Sequence, residues 1–266
     1  MTHPIIDIGV NLAHDSFDDD RDEVMRRAAD AGVTRMIVTG SSEQSNARAA
    51  ELAERNDGVL YSTAGVHPHH ASDYSNDVDA QIRSLVTRDA VVAVGECGLD
   101  YFRNFSPRDA QLDAFRRQLD IAIDTGMPVF LHQRDAHDDF VDVLDEKLPN
   151  VCRAVAHCFT GEHESLREYL AMGLYIGITG WICDERRGLH LRDIVSAVPD
   201  DRLMIETDAP YLLPRTIQPK PNTRRNEPAY LPEVLRVVAE ARDQSEEHVA
   251  RITTENATRF FGLDAR

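Results

Sequence analysis

Five residues of the kinds that hold a cation or move a proton close five separate apolar stretches of this sequence. They are His67 in STAGVHP, Glu96 in VVAVGEC, His132 in PVFLHQR, His157 in RAVAHCF and Asp208 in IETDAP. A buried stretch gains nothing by ending on an imidazole or a carboxylate, since desolvating either without a partner costs free energy. Gathered at one mouth, they would be one another's partners. Two imidazoles and two carboxylates make a divalent-cation site with positions open to water and substrate. Glu96, His132, His157 and Asp208 form that expected set, and His67 stands beside them as a catalytic candidate. Each has a plainer reading when taken alone: His67 as a hydrogen-bonded loop residue, Glu96 as a satisfied barrel acid, Asp208 as a turn cap. His69 and His70 read as surface. Cys97 and Cys158 follow ligand candidates by one residue, so strand alternation points them toward packing. The first apolar run, IIDIGVNLAH, carries Asp7, Gly9 and Asn11 at alternate positions. A metal hydrolase built on parallel strands would show Asp-x-His-x-His there.

Positioning such groups requires strands that share an end. Val- and Ile-rich runs begin at residues 4, 35, 60, 91, 128, 153, 174 and 203, each of a length natural to a buried parallel strand. Amphipathic segments lie between them. SFDDDRDEVMRRAADAG and PRDAQLDAFRRQLDIAIDTG each open on a Ser or Pro start signal and close on Gly, as crossover helices do. Eight strand–helix repeats predict an α/β fold of the closed (β/α)8 TIM-barrel type, with the site at the C-terminal strand ends. The alternative is an open doubly wound sheet, yet no GxGxxG follows the first strand and no GK[ST] loop occurs. After the eighth strand comes a basic, Pro-rich loop, YLLPRTIQPKPNTRRNEP, then helices around 229–242 and 245–260. At 266 residues, 1–266 reads as one barrel domain.

Composition narrows the function classes. With 42% hydrophobic and 28% charged residues the chain is globular, and no stretch is apolar enough to span a bilayer or lead export. A cytoplasmic monomer with four reduced cysteines and no membrane partner is the expectation. A formal charge of −17 opposes broad adhesion to nucleic acid while leaving room for a local basic mouth. Of 29 basic residues only Lys147 and Lys220 are lysine.

Eight stretches carry a resemblance: IDIGVNL, STAGVHPH, VVAVGECGLDY, MPVFLHQRDAH, HCFTG, YIGITGWICDERRG, LMIETDAPYLLPR and RRNEP. Through them the sequence resembles, nearly end to end, the TatD family of metal-dependent hydrolases. The resemblance implies a TIM barrel, divalent-metal dependence and deoxyribonuclease activity. IDIGVNL and WICDERRG are similar to the branch without the strand-1 histidine pair. That likeness implies a magnesium-dependent 3′-to-5′ exonuclease on single-stranded DNA and RNA, associated with repair of oxidative DNA damage. Its ligand positions fall on Glu96, His132 and His157, with Asp208 as ligand or base. Gln133 stands where many relatives have Cys, at a position expected to face away from the site.

Gly9 offers no ligand and Asn11 only an amide, so the shift from nitrogen to oxygen donors favours Mg²⁺, with Mn²⁺ or Zn²⁺ as alternatives. The expected reaction is phosphodiester hydrolysis, with Asp208 taking the proton of the attacking water. Asp7 is assigned to ligation or its support and Asn11 to the substrate side. Arg134, Arg215 and Arg224 or Arg225 are assigned to phosphate charge. Trp181 and Tyr211 are candidates to stack on bases. Two other readings compete. The same activated water would attack a carbonyl, as in an ester or amide hydrolase such as a deacylase of mischarged tRNA, and a barrel stripped of its metal would only bind.

Overall fold

The structure is a computed structural model that describes residues 3–263. Its eight strands are β1 (Ile5–Val10), β2 (Val33–Val38), β3 (Leu60–Ala64), β4 (Val91–Asp100), β5 (Val129–Arg134), β6 (Ala154–Ala156), β7 (Tyr175–Ile178) and β8 (Leu203–Ile205). All pair in parallel, in chain order, into one eight-stranded sheet. Helices α1 (Arg21–Asp30), α2 (Glu43–Arg55), α3 (Asn76–Leu85), α4 (Arg108–Thr125), α5 (His137–Lys147), α6 (His163–Ala171) and α7 (Leu189–Ile194) fill the crossovers. Beyond β8 follow α8 (Leu231–Ala241) and α9 (Glu246–Phe261). This is the (β/α)8 barrel that the alternation predicts. The ends differ in detail: β6 and β8 span three residues each, so His157 and Asp208 stand past the ladder.

The sheet meets itself without a further ladder among the described residues, and the seam between β8 and β1 is joined by individual hydrogen bonds. Asp208 N–H donates to the Gly9 carbonyl and Asn11 N–H to that of Ala209, each at 2.8 Å. Asp7 Oδ1 accepts from Thr207 N–H at 3.0 Å, and Asp7 Oδ2 from the Thr207 hydroxyl. Two apolar layers result. Ile6, Ile8, Ile37, Phe130 and Met204 pack inside the barrel, where Phe260 and Phe261 of α9 join them. A larger layer, including Val10, Val38, Leu119 and Leu235, fills the space between strands and helices.

Local signals explain the helix boundaries. Ser42 and Ser45 form a reciprocal capping box on α2, Ser245 caps α9, and left-handed Gly126 and Gly262 end α4 and α9. The first acidic run does not become helix at Ser16. Residues 15–17 make a 3-10 turn that buries Phe17, and α1 begins at Arg21. No helix among the described residues is long and apolar enough to cross a membrane.

Candidate active site

Glu96 sits in a bulge of β4: the register with β5 slips between Gly95 and Cys97, which re-aims the residue between them. Its carboxylate oxygen Oε1 is the focus of three imidazole nitrogens, His157 Nε2 at 2.7 Å, His132 Nδ1 at 3.0 Å and His67 Nε2 at 3.4 Å. One ligand atom each from His67, Glu96 and His132 lie within 4.8 Å of one another. Gly98, two residues on, has φ 144°, and a Cβ there would stand 1.9 Å from the His132 carbonyl, so only glycine lets β4 approach β5 this closely.

Two buried carboxylates that the sequence reading passed over stand behind the histidines. Glu206 Oε1 accepts from Cys158 N–H at 2.5 Å, and Glu206 Oε2 faces His157 Nδ1 at 3.3 Å. Asp100 Oδ2 meets His69 Nε2 at 2.8 Å and faces His132 Nε2 at 3.5 Å. A signal for both was present, because Glu206 and Asp208 share a strand face by the period of two, as Glu96, Gly98 and Asp100 do. The His67 ring has a different support: its Nδ1 accepts from His69 N–H at 3.1 Å. When neutral it therefore carries its proton on Nε2, aimed at Glu96.

The remaining expected residues divide. Asp208 stands at the cavity wall with φ 53°, and its Oδ1 accepts from Asn11 Nδ2 at 3.0 Å. Asn11 lines the cavity and gives its Nδ2–H to Asp208. Asp7 is not brought to the cluster. Ile6 and Ile8 take the barrel interior, so Asp7 between them faces away from the axis and ties the seam, with Gly9 N–H and two Thr207 groups on its oxygens. Arg134 lines the cavity between the rings of Phe102 (4.5 Å) and Trp181 (5.0 Å). Arg215 lies outside it, bidentate to Glu185 with both contacts at 3.0 Å. Arg225 also lies outside, folded onto Phe17 and bound to Asp20 and Glu227. Arg224 reaches the rim. Two further corrections follow. His69 is drawn in by Asp100, and Cys158 borders the cavity because a left-handed φ of 46° ends the alternation at that residue. Gln133 faces away, donating to the Tyr169 hydroxyl at 2.7 Å.

These groups line a cavity of about 1020 Å³ at the C-terminal strand ends. Burial lowers His67, and the neighbouring imidazoles of His132 and His69 add to this, leaving it neutral. Burial disfavours charge on Glu96, yet the imidazoles of His157 and His67 and its hydrogen bonds hold it well below the usual carboxylate range. His157 is lowered by burial and raised more by Glu96 and Glu206, ending well above an ordinary imidazole. Burial pushes Asp208 up to about 7, with Glu96 and Glu206 adding to the rise and His157 opposing it. Burial, Asp208 and Glu206 keep the Cys158 thiol protonated.

The model of the family described as TatD related DNase matches residues 6–262. The chain belongs to this family. It is 51% identical over 261 residues to the protein named 3′-5′ ssDNA/RNA exonuclease TatD of Erwinia billingiae, covering 98% of this chain and 100% of that one. The protein of the same name from Pantoea vagans is 51% identical over 259 residues, 97% of this chain and all of the other. Among solved structures, the TatD homolog YJJV of Escherichia coli superposes with TM-score 0.89 at 30% identity, covering 98% and 99% of the two chains. A TatD family hydrolase of Entamoeba histolytica gives 0.88 at 26%, with the same coverage.

The donor set fits the divalent cation on which this family of hydrolases depends. His132 Nε2 is buried with no hydrogen-bond partner, and the positive charge that the buried acids require is carried by protons on imidazoles a cation would displace. Glu206 supplies an outer carboxylate of the kind that orients a ligating histidine, facing His157 Nδ1 while Nε2 points to Glu96.

Proposed function

We propose that this chain is a divalent-metal-dependent phosphodiesterase that shortens single-stranded DNA and RNA from the 3′ end, with Mg²⁺ as its ion. The convergence of three imidazole nitrogens on Glu96 Oε1, at the floor of a cavity rimmed by Arg134 and Arg224, carries the reading. The activity named for relatives at 51% identity supplies the polarity and the strand preference. In this reading Glu96, His132 and His157 hold the ion with Asp208 beside them, and the ion supplies Lewis acidity to a phosphoryl oxygen and acidity to a water.

Asp208 takes the proton of the attacking water. Its carboxyl, pushed up to about 7, matches a proton acceptor working near neutrality, and Asn11 holds it in place at 3.0 Å. His67, kept neutral with Nε2–H pointing inward, offers a hydrogen bond to Glu96 or a phosphoryl oxygen. Arg134 is held by two ring faces, with no carboxylate partner among the described residues, and meets phosphate charge. The thiol of Cys158 stays out of the chemistry because it remains protonated. We place the activity in a cytoplasmic monomer that acts after oxidative DNA damage.

The test begins with chelator-treated protein, restored separately with Mg²⁺, Mn²⁺ or Zn²⁺, and a single strand labelled at its 5′ end. Stepwise shortening with Mg²⁺ that Glu96→Gln abolishes is expected. A strand left intact under every metal would overturn the nuclease reading and direct attention to carbonyl esters and amides.

A further inference from the structure

Among the described residues five large apolar or aromatic side chains are exposed: Val59 (41%), Phe102 (55%), Phe105 (68%), Leu189 (53%) and Tyr211 (52%). All three aromatic ones line the catalytic cavity. Phe102 and Phe105 share one loop, between β4 and α4, and this loop is tied down rather than loose. Arg103 N–H donates to Asp100 Oδ1 at 2.8 Å, Gln111 Nε2 to the Ser106 carbonyl at 2.8 Å, and the Ser106 hydroxyl to the His69 carbonyl at 3.0 Å. The backbone is anchored while two rings are left facing water, at a loss of the burial a phenyl ring normally gains.

The rings alternate with cations. Arg134 stands 4.5 Å and Arg103 5.6 Å from the Phe102 ring centre, and neither has a carboxylate partner on its side chain among the described residues. Phe105 is in ring contact with His69 at 4.8 Å, His69 with His67 at 4.1 Å, and His67 with His132 at 4.4 Å. A continuous row of rings thus runs from the exposed Phe105 to the proposed metal ligands. A strand of unpaired nucleotides presents this alternation of flat apolar faces and negative charges.

We infer that Phe102 and Phe105 are stacking platforms for unpaired nucleobases, and that they make the site select 3′ ends that carry bases over abasic ones. The inference rests on the nuclease reading for its substrate class, but stacking can be measured without cleavage. Oligonucleotides carrying 2-aminopurine at or next to the 3′ end, titrated with protein in excess chelator, report stacking as fluorescence quenching. Wild-type protein quenches; Phe105→Ala and Phe102→Ala weaken binding about 5- to 150-fold per base lost. Phe105→Tyr keeps the quenching and Phe105→Leu, equally apolar but not flat, does not. With metal restored, wild-type kcat/KM is higher on a base-bearing 3′ end than on one ending in an abasic tetrahydrofuran, and the ratio falls toward one in Phe105→Ala. Quenching and discrimination unchanged in both alanine variants, or restored by leucine, would overturn the inference. Failure of the wild type to cleave under any metal would instead count against the nuclease reading, while the quenching series still decides the stacking.

Discussion

Replacing Glu206 by Gln changes one charge and almost no volume, and its consequence is worked from two contacts. The carboxylate accepts Cys158 N–H at 2.5 Å and faces His157 Nδ1 at 3.3 Å, fully buried. Two N–H groups cannot face each other, so the glutamine oxygen must keep Cys158 N–H and its NH2 must turn to His157. His157 Nδ1 then becomes the acceptor, and the neutral ring moves its proton to Nε2. That is the atom 2.7 Å from Glu96 Oε1 and the one a cation would need unprotonated. Disturbing an outer carboxylate of this kind costs about 10- to 100-fold in metal affinity, or about 1.4–2.8 kcal/mol. The assay is calorimetric titration of Mn²⁺ into the chelator-treated protein, alongside the Mg²⁺ concentration that gives half-maximal rate. Both midpoints should rise by that factor, and most of kcat should return at saturating metal. Two-bond ¹⁵N–¹H spectra should show the His157 tautomer reversed. Midpoints unchanged within about twofold, with the tautomer reversed, would remove His157 from the ligand set; an unreversed tautomer would refute the role given to Glu206.

Three further outcomes separate the residues that sequence grouped together. Arg134→Ala should lower kcat/KM on a single strand by about 100-fold, as losing a cation at developing phosphate charge does. Arg215→Ala should leave the rate near wild type, since its partner is Glu185 outside the cavity, and Arg225→Ala should instead cost roughly 1–2 kcal/mol of stability in urea titrations. A loss of rate in Arg215→Ala equal to that of Arg134→Ala would refute this division. Gly9→His should not create a second metal site, because its Cβ would stand 2.3 Å from Glu206 Oε2; Mn²⁺ stoichiometry unchanged and activity reduced are expected, and a gain of one ion would contradict the geometry. Asp7 is pushed up to about 7 by burial, opposed by its Thr207 and Gly9 hydrogen bonds, so it holds its proton more tightly folded than unfolded. Its contribution to stability is present below about pH 4 and is lost as pH rises to about 7, on the order of 4 kcal/mol in total. Stability of wild type relative to Asp7→Asn should fall across that window in urea unfolding. Parallel curves would refute the shift.

The barrel was legible because hydrophobic runs and helical periods repeat eight times, and each run is long enough to be read locally. Ligand candidates stood out because imidazoles and carboxylates recur at the ends of five strands, which a plainer use of any one of them does not explain. What escaped was set by the third dimension. Asp7 looked like a ligand because alternation was carried through β1 unbroken, whereas the register with β2 slips between Asp7 and Val10: Ile6 and Ile8 pack inward, Asp7 between them faces out, and Gly9 faces in again. Arg215 and Arg225 lie in the basic stretch expected at the mouth, but an arginine's role depends on which acid it meets, and Glu185 and Asp20 are distant in sequence. His69 looked like surface until β4 brought Asp100 to it. Phe102 and Phe105 carry no motif; only their exposure on an anchored loop singles them out.

The strand-1 positions that lack histidine have a spatial cause. A Cβ on Gly9 would lie 2.3 Å from one oxygen of Glu206, and a Cβ on Gly177 2.7 Å from the other, so two glycines make the cradle in which this buried carboxylate sits. The room that an imidazole at position 9 would fill is thus filled from β8, by the group that orients His157. Asn11 gives its amide N–H to Asp208, the residue it holds in place at the cavity wall. Both positions have passed from the expected work of binding an ion to the work of holding the residues that would bind it. Strand β1 therefore does not merely lack ligands at position 9: the volume an imidazole would need is occupied, and a histidine there would displace Glu206 from the support of His157.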